Sequence, residues 1–173
     1  MTCKIIIVDK NDQPIDLKDR MNLNQDDIYR VSALWIVNSK QEILLAKRHH
    51  TKINNPNKWG PAVSGTVDEK ETYDINVIKE AKEELGIENI EFQLGPKTET
   101  IEDQHHFTQW YFLQTDKNIK DFVIQENEIE EIKWFSREEL EEQLKNNTNE
   151  FVPRMKSYFK LFKNVSLTFR HTI

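Results

Sequence analysis

The segment GTVDEKETYDINVIKEAKEELGI, from Gly65 to Ile87, joins a helical pattern to an unusual concentration of acidic residues. Seven of its residues are Asp or Glu, against three lysines. An α-helix turns by about 100° per residue, which places one set of apolar side chains on a single arc. That set is Ile78, Ala81 and Leu85. We predict a helix from about Glu71 to Leu85, ended by Gly86 in the left-handed conformation that suits a C-terminal cap.

Three glutamates of this helix, Glu80, Glu83 and Glu84, fall together on the arc opposite the apolar one. The ordinary interpretation of such an arc is a solvated outer face. A solvated face mixes signs, however, and here Lys79 and Lys82 lie off the acidic arc, so each like-charged pair costs roughly 0.2–0.5 kcal/mol. Carboxylates at positions i, i+3 and i+4 form a convergent cluster of oxygens, the ligand type that Mg²⁺ and Mn²⁺ prefer. We therefore predict a divalent-metal site on this helix.

The distribution of glycine indicates a constrained loop ahead of the helix. The chain has only four glycines, and two of them, Gly65 and Gly86, bracket the acidic segment. Because glycine permits backbone conformations that other residues resist, a chain so poor in glycine should use it where the geometry requires it. The loop at Gly65 can then bring a backbone carbonyl to the same metal ion.

The spacing of these residues resembles the Nudix box. The chain has Gly65, five residues, Glu71, seven residues, Lys79-Glu80, two residues, Glu83-Glu84, one residue, and Gly86-Ile87. One position departs from the family pattern, because Lys79 stands where the family has arginine. The resemblance extends over roughly residues 1–160, and the opening IIIVDKNDQPI is similar to the subgroup related to isopentenyl diphosphate isomerase. It implies an α/β fold, an α/β/α sandwich around a mixed β-sheet.

The resemblance also implies a chemistry and a set of site residues. Nudix hydrolases bind divalent metals and cleave a diphosphate linkage, typically in a nucleoside diphosphate linked to another moiety. Matched to the box, Glu80, Glu83 and Glu84 are the expected metal-binding and catalytic residues, with Mg²⁺ or Mn²⁺ as cofactor. The backbone carbonyl of Gly65 is a further expected ligand. Glu71 and Lys79 are expected to support the site.

Charged residues outside the box leave alternatives open. Glu126 and Glu128 precede a predicted strand, where some relatives place another acid, but ordinary loop charge explains them equally well. Lys47 and Arg48 end a predicted strand and could contact substrate phosphate, although exposure to solvent is an equal alternative.

The histidines and two of the tryptophans also allow more than one interpretation. Two pairs, His49-His50 and His105-His106, could bind metal or could be ordinary surface and strand residues. Trp59 is expected to pack beside the box, and Trp110 to belong to the core or to the floor of a pocket.

Two alternative functions follow from the same resemblance. One is an enzyme similar to isopentenyl diphosphate isomerase, and the other is a non-catalytic domain that binds a nucleotide. The isomerases of this type use a cysteine just ahead of the box, where this chain has Ser64, and a glutamate on a later strand, which only Glu102 approaches. A hydroxyl is a far weaker acid than a thiol, so we predict no isomerase activity.

The pattern of the remaining chain predicts several strands and two further helices. The predicted strands are a hairpin around KNDQP, Tyr29–Asn38, ILLAKR, WGPAVSG, 91–94, 97–101, 107–115 and 129–135. Ser136 and Glu139 form a capping box, and Pro153 suits the first turn of a last helix, so the C-terminal helices should occupy about 136–163.

Length and composition limit the possible classes of protein. The 173 residues are predicted to form a single domain over 1–173. A net charge of −6 argues against general nucleic-acid binding. The resemblance to the Nudix family implies a small diphosphate as the partner. No apolar run approaches ~20 residues, and the one cysteine, Cys3, indicates a reducing compartment. We predict a cytoplasmic protein without membrane segments, and a homodimer is an open alternative.

Overall fold

The structure is a computed structural model that describes residues 4–89, 91–102 and 104–165, so Cys3 lies outside the described part. Within it there are nine strands and three α-helices. The strands are β1 Lys4–Val8, β2 Pro14–Asp19, β3 Ile28–Val37, β4 Ile43–Arg48, β5 Trp59–Pro61, β6 Val63–Thr66, β7 Gln93–Thr100, β8 His106–Gln114 and β9 Ile129–Phe135. The helices are α1 Tyr73–Leu85, α2 Arg137–Asn146 and α3 Met155–Phe162.

Strand β3 is the centre of one mixed, nine-stranded sheet. Along one edge it pairs in parallel with β8, from Tyr29 opposite His106 to Val37 opposite Gln114. Along the other edge it pairs antiparallel with β1, then β6, then β4. β7 extends the sheet beyond β8, and β9 and β5 extend it beyond β4.

Both faces of the sheet are covered by helices. Successive side chains of β3 point to opposite faces, so β3 contributes to a buried cluster on each side. Leu34 and Ile36 pack in one buried cluster with α1. Ala33, Trp35 and Val37 pack in another with residues of α2 and α3. The predicted α/β/α sandwich around a mixed sheet is confirmed.

The predicted strand WGPAVSG is instead two short strands with different partners. Pro61 in β5 lies opposite Leu45 of β4, whereas Val63 in β6 lies opposite Leu34 of β3. Proline has no backbone N–H with which to extend the first pairing, and the chain moves to β3 directly after it. This change of partner brings Ser64 and Gly65 next to α1.

The two strands predicted over 91–94 and 97–101 are one strand, β7. Its register against β8 shifts between Leu94 and Lys97, which accommodates Gly95 and Pro96 as an irregularity rather than a turn. β7 lies at the edge of the sheet, where proline is tolerated because the missing N–H faces no partner.

The helix ends agree with the predicted caps at two of three places. Gly86 adopts φ 62 in the left-handed region, and the Ser136 hydroxyl accepts a hydrogen bond from the Glu139 backbone N–H at 3.0 Å. The last helix begins at Met155, so Pro153 precedes its cap residue, Arg154, instead of lying in the first turn.

The buried face of α1 differs from the predicted arc at one position. Val77, Ala81 and Leu85 are fully buried, whereas Ile78 is 45% exposed. A spacing of four residues follows the helix axis closely, and Ile78 lies about 100° away from Val77.

The N-terminal hairpin is tied to the segment that leads into α1. The backbone N–H of Glu69 donates to the carbonyl of Lys4 at 2.9 Å. At the hairpin tip, the Asp12 carboxylate accepts from Arg30 at 2.7 Å, from the Tyr73 hydroxyl at 3.1 Å, and from Lys97. No helix in the described ranges has the length and apolarity needed to cross a membrane.

Candidate metal and substrate site

A cavity of about 410 Å³ lies between the acidic side of α1 and the sheet. The predicted site residues that line it are Gly65, Glu80, Glu83, Glu84, Arg48 and Glu128. Lys47 and Glu126 do not line it. Of the predicted alternatives, Arg48 and not Lys47, and Glu128 and not Glu126, reach the cavity. Glu71 and Lys79 also lie outside the lining, directly behind Glu80.

Glu80 is held against the backbone of Gly65. A β-carbon built on Gly65 would lie 2.3 Å from the Glu80 carboxyl carbon and 2.5 Å from Oε1. No side chain larger than hydrogen fits there unless Glu80 moves. Glycine suits position 65 because the Glu80 carboxyl group approaches its backbone closely. A left-handed backbone is not the reason, because Gly65 is not among the described residues with positive φ.

Glu84 is anchored at the neighbouring residue of the same strand. The backbone N–H of Ser64 donates to Glu84 Oε2 at 3.1 Å. Gly65 and Ser64 thus hold two carboxylates of α1 at neighbouring positions of β6. Glu83 is exposed and lines the cavity from its solvent side.

Burial and mutual repulsion make both inner carboxyls reluctant to ionise. Burial raises the pKa of Glu80 to about 7, with Lys79 opposing the shift and Glu83 adding to it. Burial raises the pKa of Glu84 to about 8, with the charge of Glu80 adding to the shift. Lys79 and Arg48 only partly offset these effects, so a bound cation would stabilise the ionised forms of both carboxyls.

Lys79 lies in a polar network behind Glu80. Its Nζ is 2.8 Å from Glu71 Oε1, 3.3 Å from Asp68 Oδ2 and 3.6 Å from Glu80 Oε1. The prediction that Lys79 lies off the acidic arc is therefore wrong for Glu80, because the long lysine side chain reaches across to it. Burial acts to raise the pKa of Glu71, but hydrogen bonds from Lys79 and Asn76 hold it below its ordinary value.

Asn76 is a site residue that the sequence analysis missed. It is fully buried, and its Nδ2 lies 2.7 Å from Glu71 Oε2, 3.1 Å from the Thr66 carbonyl and 3.4 Å from Glu80 Oε1. The signal that could have found it is an amide directly beside Val77 on the buried side of α1, where a polar side chain needs partners.

Arg48 lines the same cavity as the acids. Its Nε donates to the Asn54 carbonyl at 3.0 Å, which fixes the guanidinium at the end of β4. Burial lowers the pKa of Arg48, although the nearby charges of Glu84 and Glu128 oppose this. Glu128 itself is paired with Lys52, which also lines the cavity.

Other lining residues include Arg20, Tyr29, Gln104, His106, Trp110 and Tyr158. Of these, the sequence analysis named only Trp110 and His106 as candidate site residues. A second depression of about 780 Å³ shares His106 and Tyr158 with the first and continues towards Ile53, Pro153 and Arg154. The alternation of β8 could have indicated His106, Thr108 and Trp110 together, because residues two apart share a face.

The two tryptophans of the prediction have separate places. Trp59 packs edge-on against Phe135 with ring centroids 5.2 Å apart, in the cluster on the α2 and α3 side. Trp110 is 1% exposed and also lines the cavity, so it is both core and pocket floor.

The two histidine pairs differ in position. His106 lines the cavity, and burial lowers its pKa, while His105 lies 2.8 Å from Glu99. His49 and His50 lie outside the cavity, next to Glu130.

A sandwich of this kind, with an acidic helix beside a strand that carries the glycine, defines the class of protein. Residues 28–155 match the family model described as NUDIX domain, and the chain belongs to the Nudix family. A Deinococcus radiodurans protein of known crystal structure has the same fold, with a TM-score of 0.80, 20% identity and coverage of 91% of this chain and 98% of that one.

Curated relatives of the chain carry three different descriptions. An uncharacterized Nudix hydrolase of Listeria monocytogenes is 27% identical over 127 residues, 73% of each chain. A prenyl-diphosphate phosphatase of Methanosarcina mazei is 28% identical over 160 residues, 90% of this chain and 93% of the relative. An isopentenyl-diphosphate Delta-isomerase of Photorhabdus laumondii is 26% identical over 121 residues, 65% of this chain and 69% of the relative.

Proposed function

We propose that the protein is a hydrolase that uses Mg²⁺ or Mn²⁺ to cleave a diphosphate linkage in a small molecule. The observation that carries the proposal is the placement of Glu80 and Glu84 against Gly65 and Ser64, in a cavity that Arg48 also lines. Membership of the Nudix family and its hydrolase relatives support the same conclusion.

The acidic residues of the cavity fit a hard divalent cation. Glu80, Glu83 and Glu84 would hold it, with the Gly65 carbonyl as a further ligand, since oxygen donors suit Mg²⁺ and Mn²⁺. The raised pKa values of Glu80 and Glu84 favour the same assignment, because a cation would stabilise both ionised forms. When bound, the cation would polarise a phosphoryl oxygen and acidify a water molecule.

The other charged groups have complementary roles in this proposal. Arg48 binds a phosphate oxygen and neutralises part of the substrate charge. Glu128, or one of the box glutamates, accepts the proton of the attacking water. Glu128 is paired with Lys52, so substrate phosphate would compete with Glu128 for Lys52 and free the carboxylate. Glu71 and Lys79 position Glu80.

Two substrate classes are compatible with the cavity. The first is a nucleoside diphosphate linked to another moiety, for which the half-buried ring of Tyr158 supplies a flat surface in the cavity lining. The second is a prenyl diphosphate, favoured by the relative that aligns over 90% of this chain and by Ile53, Val152 and Pro153 in the adjoining depression. We further propose that the whole chain is one domain acting in the cytoplasm.

The test is release of phosphate or of a phosphorylated product from nucleotide sugars, dinucleotides and prenyl diphosphates, with Mg²⁺, Mn²⁺ or a chelator. The proposal expects metal-dependent turnover of at least one class and a loss of more than about 100-fold in Glu83→Gln. The matched control is Glu126→Gln, because Glu126 is an exposed glutamate outside the cavity. Turnover that survives in Glu83→Gln, or that ignores the chelator, would overturn it.

A further inference from the structure

Three side chains near the end of β4 direct metal-binding atoms towards one point outside the cavity. His49 and His50 directly follow β4, and Glu130 is the second residue of β9, which pairs antiparallel with β4. One ring nitrogen from each histidine and one carboxylate oxygen of Glu130 all lie within 4.8 Å of one another. We call these three residues the histidine cluster.

The distances within the cluster suit a small transition-metal ion. The His50 Nδ1 atom lies 3.2 Å from Glu130 Oε2, and the His49 Nε2 atom lies 3.7 Å from the same oxygen. In a tetrahedral zinc site with metal–ligand distances of about 2.0–2.1 Å, ligand atoms are roughly 3.3–3.4 Å apart. These two separations fall on either side of this value and the third lies within 4.8 Å, so the three side chains would close around an ion by moving towards it.

The cluster is attached to a fixed backbone. The His49 backbone N–H donates to the Glu128 carbonyl at 2.9 Å, which continues the pairing of β4 with β9 past the last strand residue. His49 is also the more buried of the two rings, with 20% of its side chain exposed against 59% for His50. Glu130 lies within β9 and His49 directly follows β4, so strand pairing holds the backbone of two of the three ligands.

A neighbouring hydroxyl can orient the His49 ring for metal binding. The His49 Nδ1 atom lies 2.8 Å from Thr51 Oγ1, and the Thr51 backbone nitrogen lies 3.3 Å from the same atom. The Thr51 backbone N–H donates to Nδ1, so metal binding through Nε2 requires the other tautomer, in which Nδ1–H donates to the Thr51 hydroxyl and the Nε2 lone pair faces Glu130. Metal-ligating histidines commonly donate their second ring N–H in this way, which fixes their tautomer.

We propose that His49, His50 and Glu130 bind a transition-metal ion of intermediate softness, such as Zn²⁺, at a site separate from the carboxylates of α1. Imidazole nitrogens favour such ions, whereas the all-oxygen set of α1 favours Mg²⁺ and Mn²⁺. Three protein ligands leave a fourth position for water. The bound ion links the segment after β4, which carries the cavity residues Lys52, Asn54 and Asn55, to β9.

The experiment is calorimetric titration of the full chain with Zn²⁺ in the presence of excess Mg²⁺. The proposal expects one Zn²⁺ per chain, and more than about tenfold weaker binding in His50→Asn and in Glu130→Gln. His105→Asn is the matched control, because His105 also lies beside a glutamate but outside the histidine cluster. Unfolding temperatures of the variants show that each remains folded.

Glu83→Gln separates the new site from the site on α1. Its Zn²⁺ affinity in excess Mg²⁺ should equal that of the unaltered protein. Co²⁺ provides a second measurement, because its visible absorption reports the coordination geometry, and the spectrum should change in His50→Asn and not in His105→Asn. Zn²⁺ binding that is unchanged in both His50→Asn and Glu130→Gln, lost in Glu83→Gln, or absent from the unaltered protein would overturn the proposal.

Discussion

The carboxyl group of Glu80 occupies the volume that a β-carbon at Gly65 would need. A β-carbon built on Gly65 would lie 2.3 Å from the Glu80 carboxyl carbon. A glycine of the entering loop and a glutamate of the helix are therefore matched in shape. The match places the acid against the backbone, where the Gly65 carbonyl can serve as a ligand to the same ion.

Gly65→Ala tests this match. The added methyl group displaces the Glu80 carboxylate, which is the flexible end of a side chain, so we expect activity to fall by more than about tenfold while the unfolding temperature changes little. Steady-state kinetics and thermal unfolding measure the two effects. Gly60→Ala is a useful comparison, because its β-carbon would lie 3.2 Å from Val152 Cγ1 and far fewer atoms would need to move. Full activity in Gly65→Ala would contradict the assigned position of Glu80.

Lys79 stands where the family has arginine, and the variant Lys79→Arg tests how this difference affects activity. A guanidinium can hold the Glu71 carboxylate through two hydrogen bonds, whereas an ammonium acts as a point charge. We expect equal or higher activity in the arginine variant. Lys79→Met removes the charge next to Glu71 and Glu80 and should lower activity. A large loss of kcat in Lys79→Arg would instead show that the polar network is built around lysine.

The metal-free protein should lose stability as the pH rises. The pKa values of Glu80 and Glu84 are about 7 and about 8 in the folded state, above their ordinary value of 4.5. Between these limits the folded state binds more protons than the unfolded state, so the free energy of unfolding decreases with pH. Thermal unfolding with a chelator over about pH 5 to 9 measures this, and Glu84→Gln should make the dependence shallower.

Mg²⁺ should reverse this loss, because it competes with protons for the same carboxylates. At 100 times its dissociation constant an ion stabilises the folded state by ~2.7 kcal/mol, or roughly 5–10 °C in a domain of this size. The increase in unfolding temperature should be larger near pH 8 than near pH 5. An increase that does not depend on pH would indicate that Mg²⁺ binds away from Glu80 and Glu84.

Isomerisation of isopentenyl diphosphate is expected to be absent. Ser64 lines the cavity at the position where the isomerases have a cysteine, and a hydroxyl needs strong activation to handle the proton. Glu102, the nearest candidate for the second group, is instead paired with Arg154 at 2.7 Å, next to the adjoining depression. Incubation with Mg²⁺ in deuterated buffer should leave the substrate unlabelled. Deuterium incorporation that disappears in Ser64→Ala would make isomerase the better assignment.

The acidic end of the cavity could be predicted from the sequence because its residues are close along the chain. Helical spacing alone groups Glu80, Glu83 and Glu84, and the family pattern adds Gly65. The same spacing placed Ile78 on the buried arc, where the structure has Val77. Both residues are apolar, so apolar character does not reveal which of them faces the sheet. Lys79 was misplaced because periodicity describes where a side chain starts and not how far it reaches.

The cavity residues outside the box could not be singled out from the sequence, because their positions depend on long-range pairing. Arg48 and Lys47 are adjacent, and only the register of β4 against β9, with its irregularity between them, decides which one reaches the cavity. Glu128 is distinguished from Glu126 by its contact with Lys52, 76 residues away. Tyr158 arrives from the last helix.

The Asp12 carboxylate at the tip of the first hairpin has a consequence for how the protein opens. It contacts Arg30 on β3, Tyr73 at the start of α1 and Lys97 on β7, so the tip cannot leave without releasing three other elements. Local unfolding proceeds in cooperative units held together by such contacts. The backbone amides of the hairpin and of the first turn of α1 should therefore exchange with solvent deuterium at a common rate, and Asp12→Asn should accelerate both groups together. The start of the helix that carries Glu80, Glu83 and Glu84 would then share one protection unit with the N-terminal hairpin, although 61 positions separate Asp12 from Tyr73 along the chain.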